Sequence, residues 1–154
     1  MAGFEEEEAR RAEVALVVGR NKIATLALQP LRGATLPFRL DLLLRIEELL
    51  DELAPLAAEG RVRTLVVRTI SPRADLPGYD LDELRLLHGE QIVAWALEAQ
   101  RVLRRIEQLD IPTIAVIREG WMGGAAELAL ACSHRIAADL PEATIGFTQT
   151  AIGF

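Results

Sequence analysis

Two short apolar segments, 62–68 and 113–117, bracket a long amphipathic one at 90–109, and that succession constrains the fold more than any other feature of the chain. Segment 62–68 is rich in Val, and 113–117 is apolar after its leading threonine, as buried strands are. The long segment puts Ile92, Ala96, Val102, Leu103, Ile106 and Leu109 on one helical face, and Pro112 ends it. An earlier helix opens at Pro37 and runs to about Ala58. Its stripe is Leu40, Leu43, Leu44, Glu47, Leu50 and Leu53, and Gly60 stops it. Segments 13–18 and 22–28 read as strands joined by a hairpin turn at Gly19-Arg20-Asn21. Segments 29–36 and 71–78 carry Pro and Gly and read as loops. A short helix is expected at 81–87, a small-residue turn into a helix at 123–132, and short strands at 135–138 and 144–147. Strands separated by helices predict an α/β domain with crossover connections. Periodicity does not separate a flat, doubly wound sheet from a coiled one.

The 154 residues suit one domain with a real core, since 51% are hydrophobic and 26% charged. A net charge of −6 and the lack of a long basic run argue against a nucleic-acid partner. Cys132, the single cysteine, has no internal disulfide partner and reads as a packed core thiol. No run reaches the ~18 apolar residues of a membrane span. The start, Met-Ala-Gly-Phe-Glu-Glu-Glu-Glu, is acidic where a signal peptide is basic, so a cytoplasmic protein is expected. His88 and His134 have no metal-ligand spacing with each other or with Cys132, and no metal site is expected. Phosphate-binding glycine loops and the serine nucleophile elbow are missing from the sequence. Ser133 beside His134 cannot form a dyad, because neighbouring side chains on a strand point to opposite faces.

The chemistry concentrates in Trp121-Met122-Gly123-Gly124-Ala125-Ala126-Glu127. Two glycines follow a buried strand and precede a helix. Glycine permits positive φ and a close approach of ligand to backbone. A helix start offers free N–H groups and a favourable dipole for negative charge. A negative oxygen at the Gly124 N–H is therefore stabilised there, as in an oxyanion hole. Glu127, one turn further on, is placed to move a proton on a group held at Gly124. An ordinary reading stands beside this one, because glutamate is common in first turns for capping and dipole reasons. A second loop, Pro77-Gly78-Tyr79-Asp80-Leu81, follows strand 62–68 as the first follows strand 113–117. If the two strands are neighbours, the N–H groups of Tyr79 and Gly124 converge on one carbonyl oxygen. Otherwise Pro77-Gly78 is a plain turn and Tyr79 an anchor.

The stretches Ile111-Pro112-Thr113-Ile114-Ala115-Val116-Ile117, Gly123-Gly124-Ala125-Ala126-Glu127-Leu128-Ala129-Leu130-Ala131-Cys132 and Arg135-Ile136-Ala137-Ala138-Asp139 resemble the signature of the crotonase (enoyl-CoA hydratase/isomerase) superfamily. Gly78-Tyr79-Asp80-Leu81-Asp82-Glu83-Leu84 is similar to the family's other loop motif, and the resemblance runs from about Val14 to the end. It implies a coiled stack of ββα turns, assembled as a homotrimer or hexamer. It also implies an acyl-CoA thioester as substrate, with coenzyme A arriving as part of it and no separate cofactor. By position, Tyr79 and Gly124 become the oxyanion-hole donors and Glu127 a catalytic carboxylate, while Gly78, Asp80, Leu81 and Gly123 line the substrate. The family's second glutamate falls at Gln149 and its proline at Thr148. Tyr79 replaces a small residue, Asp75 a phenylalanine, Glu119 a glycine, and Ala125 the third glycine of the signature.

Gln149 can hydrogen-bond a water but cannot exchange a proton with it at neutral pH. The expectation is an enzyme with one carboxylate, suited to isomerisation, decarboxylation or carbon–carbon cleavage, with hydration open if Gln149 only positions the water. The alternative is a non-catalytic acyl-CoA-binding or scaffold subunit that has lost the second glutamate. A serine peptidase of related fold is set aside because no serine sits at Gly124 or Ala125. The resemblance divides the chain into an acidic extension, 1–12, and a crotonase-like core, 13–154. Family members run well beyond position 154, so the core is read as lacking their C-terminal region.

Overall fold

The computed structural model describes residues 12–71 and 73–147. Its elements run β1 (Val14–Val18), β2 (Ile23–Leu28), α1 (Leu40–Ala58), β3 (Thr64–Thr69), α2 (Leu81–Arg85), α3 (Glu90–Glu107), β4 (Thr113–Ile117), β5 (Trp121–Met122), α4 (Gly124–Ala131), β6 (His134–Ala137) and β7 (Ile145–Gly146). The acidic run 5–8 and the positions Thr148 and Gln149 lie outside the described residues.

β1 and β2 form the expected antiparallel hairpin, with Val14 opposite Leu28 and Val18 opposite Ala24. From β2 onward all pairing in the larger sheet is parallel, in the order β1-β2-β3-β4-β6. A second set of strands lies beside it. β5 pairs with β7, and single bridges join Thr35 to Asp75, Phe38 to Tyr79 and Leu76 to Trp121. Each repeat of the chain therefore makes a long strand, a short rung and, in the first three repeats, helix. The rungs stack as the strands do, so the architecture is a coiled ββα spiral and not a flat, doubly wound sheet.

Packing against α1 and α3 closes the core. α1 buries Leu42, Leu43, Ile46, Leu49, Leu50 and Leu53, and α3 buries Trp95, Ala99, Val102 and Ile106. From the sheet come Leu26, Leu65, Val67, Ala115 and Ile117. Fully burying one such side chain contributes about 2 kcal/mol. Glu47 lies within the apolar stripe of α1, as the spacing predicts, and is itself buried. Its carboxylate accepts from Arg101 and Arg105, so an ion cluster ties α1 to α3.

Three sequence expectations shift. α1 starts at Leu40, not at Pro37, because Phe38 is held in a rung. Its N–H donates to Gly78 O at 2.7 Å and its carbonyl accepts Asp80 N–H at 3.0 Å. Leu44 and Ile92 are about one-third exposed rather than core, and the buried faces rotate onto Leu42, Ile46 and Leu49 in α1 and onto Trp95 and Ala99 in α3. The loops 29–36 and 71–78 contain rungs, as does the two-residue β5, which is too short to show any period.

Cys132 closes α4 and is buried. Burial pushes its thiol up to about 11, against smaller opposing contributions from Thr113 and Arg135. Only about one thiol in a thousand is then ionised at pH 8. Iodoacetamide at that pH is expected to leave the native protein unmodified and to add one carbamidomethyl group in urea. Rapid native alkylation, read by intact mass, would contradict this burial. Among the described residues no helix is long and apolar enough to cross a membrane.

Candidate active site

β3 and β4 are parallel neighbours, with Leu65 beside Thr113 and Arg68 beside Val116. The segments that follow them leave the sheet at the same edge and pair once more. Leu76 N–H donates to Gly120 O at 2.9 Å, and Met122 N–H to Leu76 O at 2.8 Å. Asp75 adds a side-chain link by accepting Gly120 N–H at 3.1 Å. Beyond Met122 the ladder opens. Gly78 has φ 105°, which takes the chain off the rung. A Cβ at Gly78 would stand 2.9 Å from Met122 O and 3.3 Å from Gly124 N, so the two glycine loops are in backbone contact.

Gly78 O and Asp80 N–H both pair with Phe38. The N–H of Tyr79 between them therefore faces the other side of the rung, by the alternation of a ladder. Gly123, at φ 51°, donates its N–H to Gly146 O at 2.8 Å and delivers the chain into α4 at Gly124. Among the described residues, the N–H groups of Tyr79 and Gly124 have no protein acceptor. The start of α4 adds the positive end of its dipole at Gly124.

Glu127 lies in the first turn of α4 and is half-buried. The Tyr79 O–H donates to Glu127 Oε2 at 2.5 Å. To reach it the phenol ring passes over Gly124, where a Cβ would stand 2.3 Å from Tyr79 Cε1. Residue 124 must therefore be glycine for the ring to sit there. Burial, followed by the hydrogen bond and charge of Glu127, holds the phenol above its usual range. It is a neutral donor at ordinary pH.

Of the residues expected to line the substrate, Gly78 and Gly123 are in the contact between the loops. The Asp80 side chain is engaged as the N-cap of α2, accepting from Asp82 N–H at 2.9 Å and Glu83 N–H at 3.2 Å. Leu81 follows it, exposed. Two further side chains, Trp95 and Glu83, brace the site without any local sequence pattern that marks them for it. Trp95 meets the Tyr79 ring edge-on, with centroids 4.8 Å apart at 88°. Its Nε1–H donates to Glu83 Oε2 at 3.3 Å. Glu83 stands three residues after Asp80, which spells a capping-box pattern. Its carboxylate instead reaches across to Leu40 N–H at 3.1 Å, at the start of α1.

A parallel coil of ββα turns with two glycine loops at one edge defines the crotonase fold. An enoyl-CoA hydratase/carnithine racemase from Magnetospirillum magneticum superposes with a TM-score of 0.80 at 24% identity, over 93% of this chain and 52% of that one. The enoyl-CoA hydratase of Bacillus anthracis gives 0.76 at 26% identity, over 93% and 53%. The sequence model of the enoyl-CoA hydratase/isomerase family matches residues 43–154, and the chain belongs to that family. Among curated relatives, the mitochondrial methylglutaconyl-CoA hydratase of Mus musculus is 35% identical over 95 residues, 62% of this chain and 30% of that protein. An enoyl-CoA isomerase/hydratase of Mycosarcoma maydis is 35% identical over 99 residues, 64% of this chain and 35% of that protein. The chain thus spans about a third of these two relatives and about half of the solved structures.

Proposed function

We propose that the chain binds an acyl-CoA thioester and forms its enolate, using one carboxylate and two backbone donors. The observation that carries this reading is the meeting of the Gly78–Tyr79 and Gly123–Gly124 loops beside Glu127, with two N–H groups that have no acceptor among the described residues. The thioester oxygen takes those two N–H groups. Glu127 removes a proton from the α carbon, and the C–H electron pair moves onto the oxygen as an enolate. The donors stabilise the charge where it develops, and one such donor supplies about 3 kcal/mol. With a β,γ-unsaturated thioester the enolate is a dienolate, and returning the proton to its γ carbon moves the double bond to the α,β position, which is isomerisation. Breaking the bond between the α carbon and a carboxylate or acyl group, with its electron pair passing to the thioester oxygen, is a second route into the same enolate, which Glu127 in its protonated form can then quench at the α carbon. Names of relatives as hydratases and isomerases agree with this class.

The test is exchange of the α protons of a saturated acyl-CoA, such as butyryl-CoA, in deuterium oxide. This half-reaction needs one base and an oxyanion hole, and no second carboxylate. Deuterium gain at C2 with saturable binding is expected. Calorimetric binding without exchange is the result belonging to the non-catalytic alternative, and absence of both removes the acyl-CoA reading.

A further inference from the structure

The Tyr79 side chain is more constrained than a space-filling replacement of a small residue requires. Its hydroxyl is fixed on Glu127 Oε2 at 2.5 Å. One face of its ring rests on Gly124, where a Cβ would lie 2.3–2.6 Å from three ring atoms. Its edge contact is Trp95, and Trp95 is held by Glu83. The Glu83 carboxylate also takes Leu40 N–H, a donor with no side-chain cap from Arg39. A chain of contacts thus runs from the start of α1 through Glu83, Trp95 and Tyr79 to Glu127. Its members come from four helices or the loops before them.

We propose that Tyr79 is a positioning residue for Glu127, holding its carboxylate at the α carbon of a bound thioester, with Trp95 and Glu83 as its brace. The proposal rests on the acyl-CoA reading above. Glutamate has three rotatable side-chain bonds, and a charge-assisted hydrogen bond from a seated phenol selects one arrangement of them. Proton transfer is sensitive to such placement, since an error near 1 Å costs about a hundredfold. In the transfer the α C–H bond breaks, its proton goes to Glu127 and its electron pair to the thioester oxygen. Tyr79 keeps its own proton throughout. It therefore acts through Glu127 and does not replace the second carboxylate as an acid.

Tyr79→Phe keeps the ring on Gly124 and against Trp95 and removes only the hydroxyl. At saturating butyryl-CoA, its α-proton exchange is expected to fall 10- to 100-fold. The calorimetric Kd for butyryl-CoA should stay within twofold. Trp95→Ala should lower the same rate, and Trp95→Phe should recover most of it. A separate readout needs no turnover. Tyr79 is the only tyrosine in the chain, so tyrosinate absorbance reports it alone. Burial first, and then the hydrogen bond and charge of Glu127, push the phenol's ionisation to higher pH, so Glu127→Gln should bring tyrosinate formation to lower pH. Undiminished exchange in Tyr79→Phe, or an unmoved tyrosinate titration in Glu127→Gln, overturns the proposal and leaves the acyl-CoA reading standing. Absence of exchange in the unmodified protein overturns the proposal together with enolate formation, and absence of calorimetric binding as well removes the acyl-CoA reading.

Discussion

Glu127→Gln is expected to abolish α-proton exchange while leaving acyl-CoA binding within about twofold. Glutamine matches glutamate in shape, and its carbonyl can still accept the Tyr79 O–H, so the packing at Gly124 survives. What it cannot do is take a proton at neutral pH. A positioned general base contributes about 10²- to 10⁴-fold, and the variant should lose an effect of that size. Deuterium incorporation at C2 of butyryl-CoA, followed by mass spectrometry, gives the rate, and calorimetry gives the affinity. A variant that exchanges as fast as the parent would take the base away from Glu127. A variant that no longer binds would make the carboxylate part of the binding site.

Gly78→Ala is expected to be the most damaging single substitution in the two loops. Its φ of 105° is strained for any L side chain, and its Cβ would meet backbone, with Met122 O at 2.9 Å and Gly123 Cα at 3.2 Å. Backbone cannot rotate aside as a side chain does. Either the Gly123–Gly124 loop moves or Gly78 changes conformation, and both separate the N–H groups of Tyr79 and Gly124. Strain and overpacking together should cost about 3 kcal/mol of stability. Gly33→Ala separates the two effects, since φ there is 70° with nothing within 4 Å of the added Cβ. It should cost only about 1 kcal/mol and leave exchange unaffected. Urea titrations measure both, as a lower midpoint at unchanged slope. Equal losses in the two variants would mean that the Gly78 loop yields to the methyl group.

The long elements were legible in the sequence because they repeat a pattern over many residues. The pattern places β4 at its observed limits and α3 to within two residues at its end. The rungs were not legible. Phe38, Leu76 and Trp121 pair across the coil through one or two residues each, and so short a segment carries no period. That is also why Pro37 resembles a helix start in the sequence. Within the site, the placement of the loops followed from one inference. Adjacent parallel strands deliver their following segments to the same edge, and β3 and β4 are adjacent. The spacing of Glu127 from Gly124 needed only the helix. The side-chain chain did not follow. Tyr79 and Glu127 are 48 residues apart, and Glu83 and Leu40 are 43 apart, with no local signal joining either pair. Tyrosine at position 79 was visible as a departure from the family, but its direction was set by a bare glycine in a different loop.

The strand order has a consequence for how the molecule assembles. From β1 to β4 each strand lies beside the one made just before it, and β6 joins β4 once the β5 rung has been laid down. Among the described residues, no strand of the larger sheet has to wait for a partner synthesised much later. A parallel sheet is ordinarily slow to form, because each pairing closes a long loop before it gains anything. Here every closure spans a single coil and adds to a surface already in place. Growth can follow the direction of translation, with the hairpin of β1 and β2 as a template for β3 and the two glycine loops meeting only when the coil that begins at β4 docks.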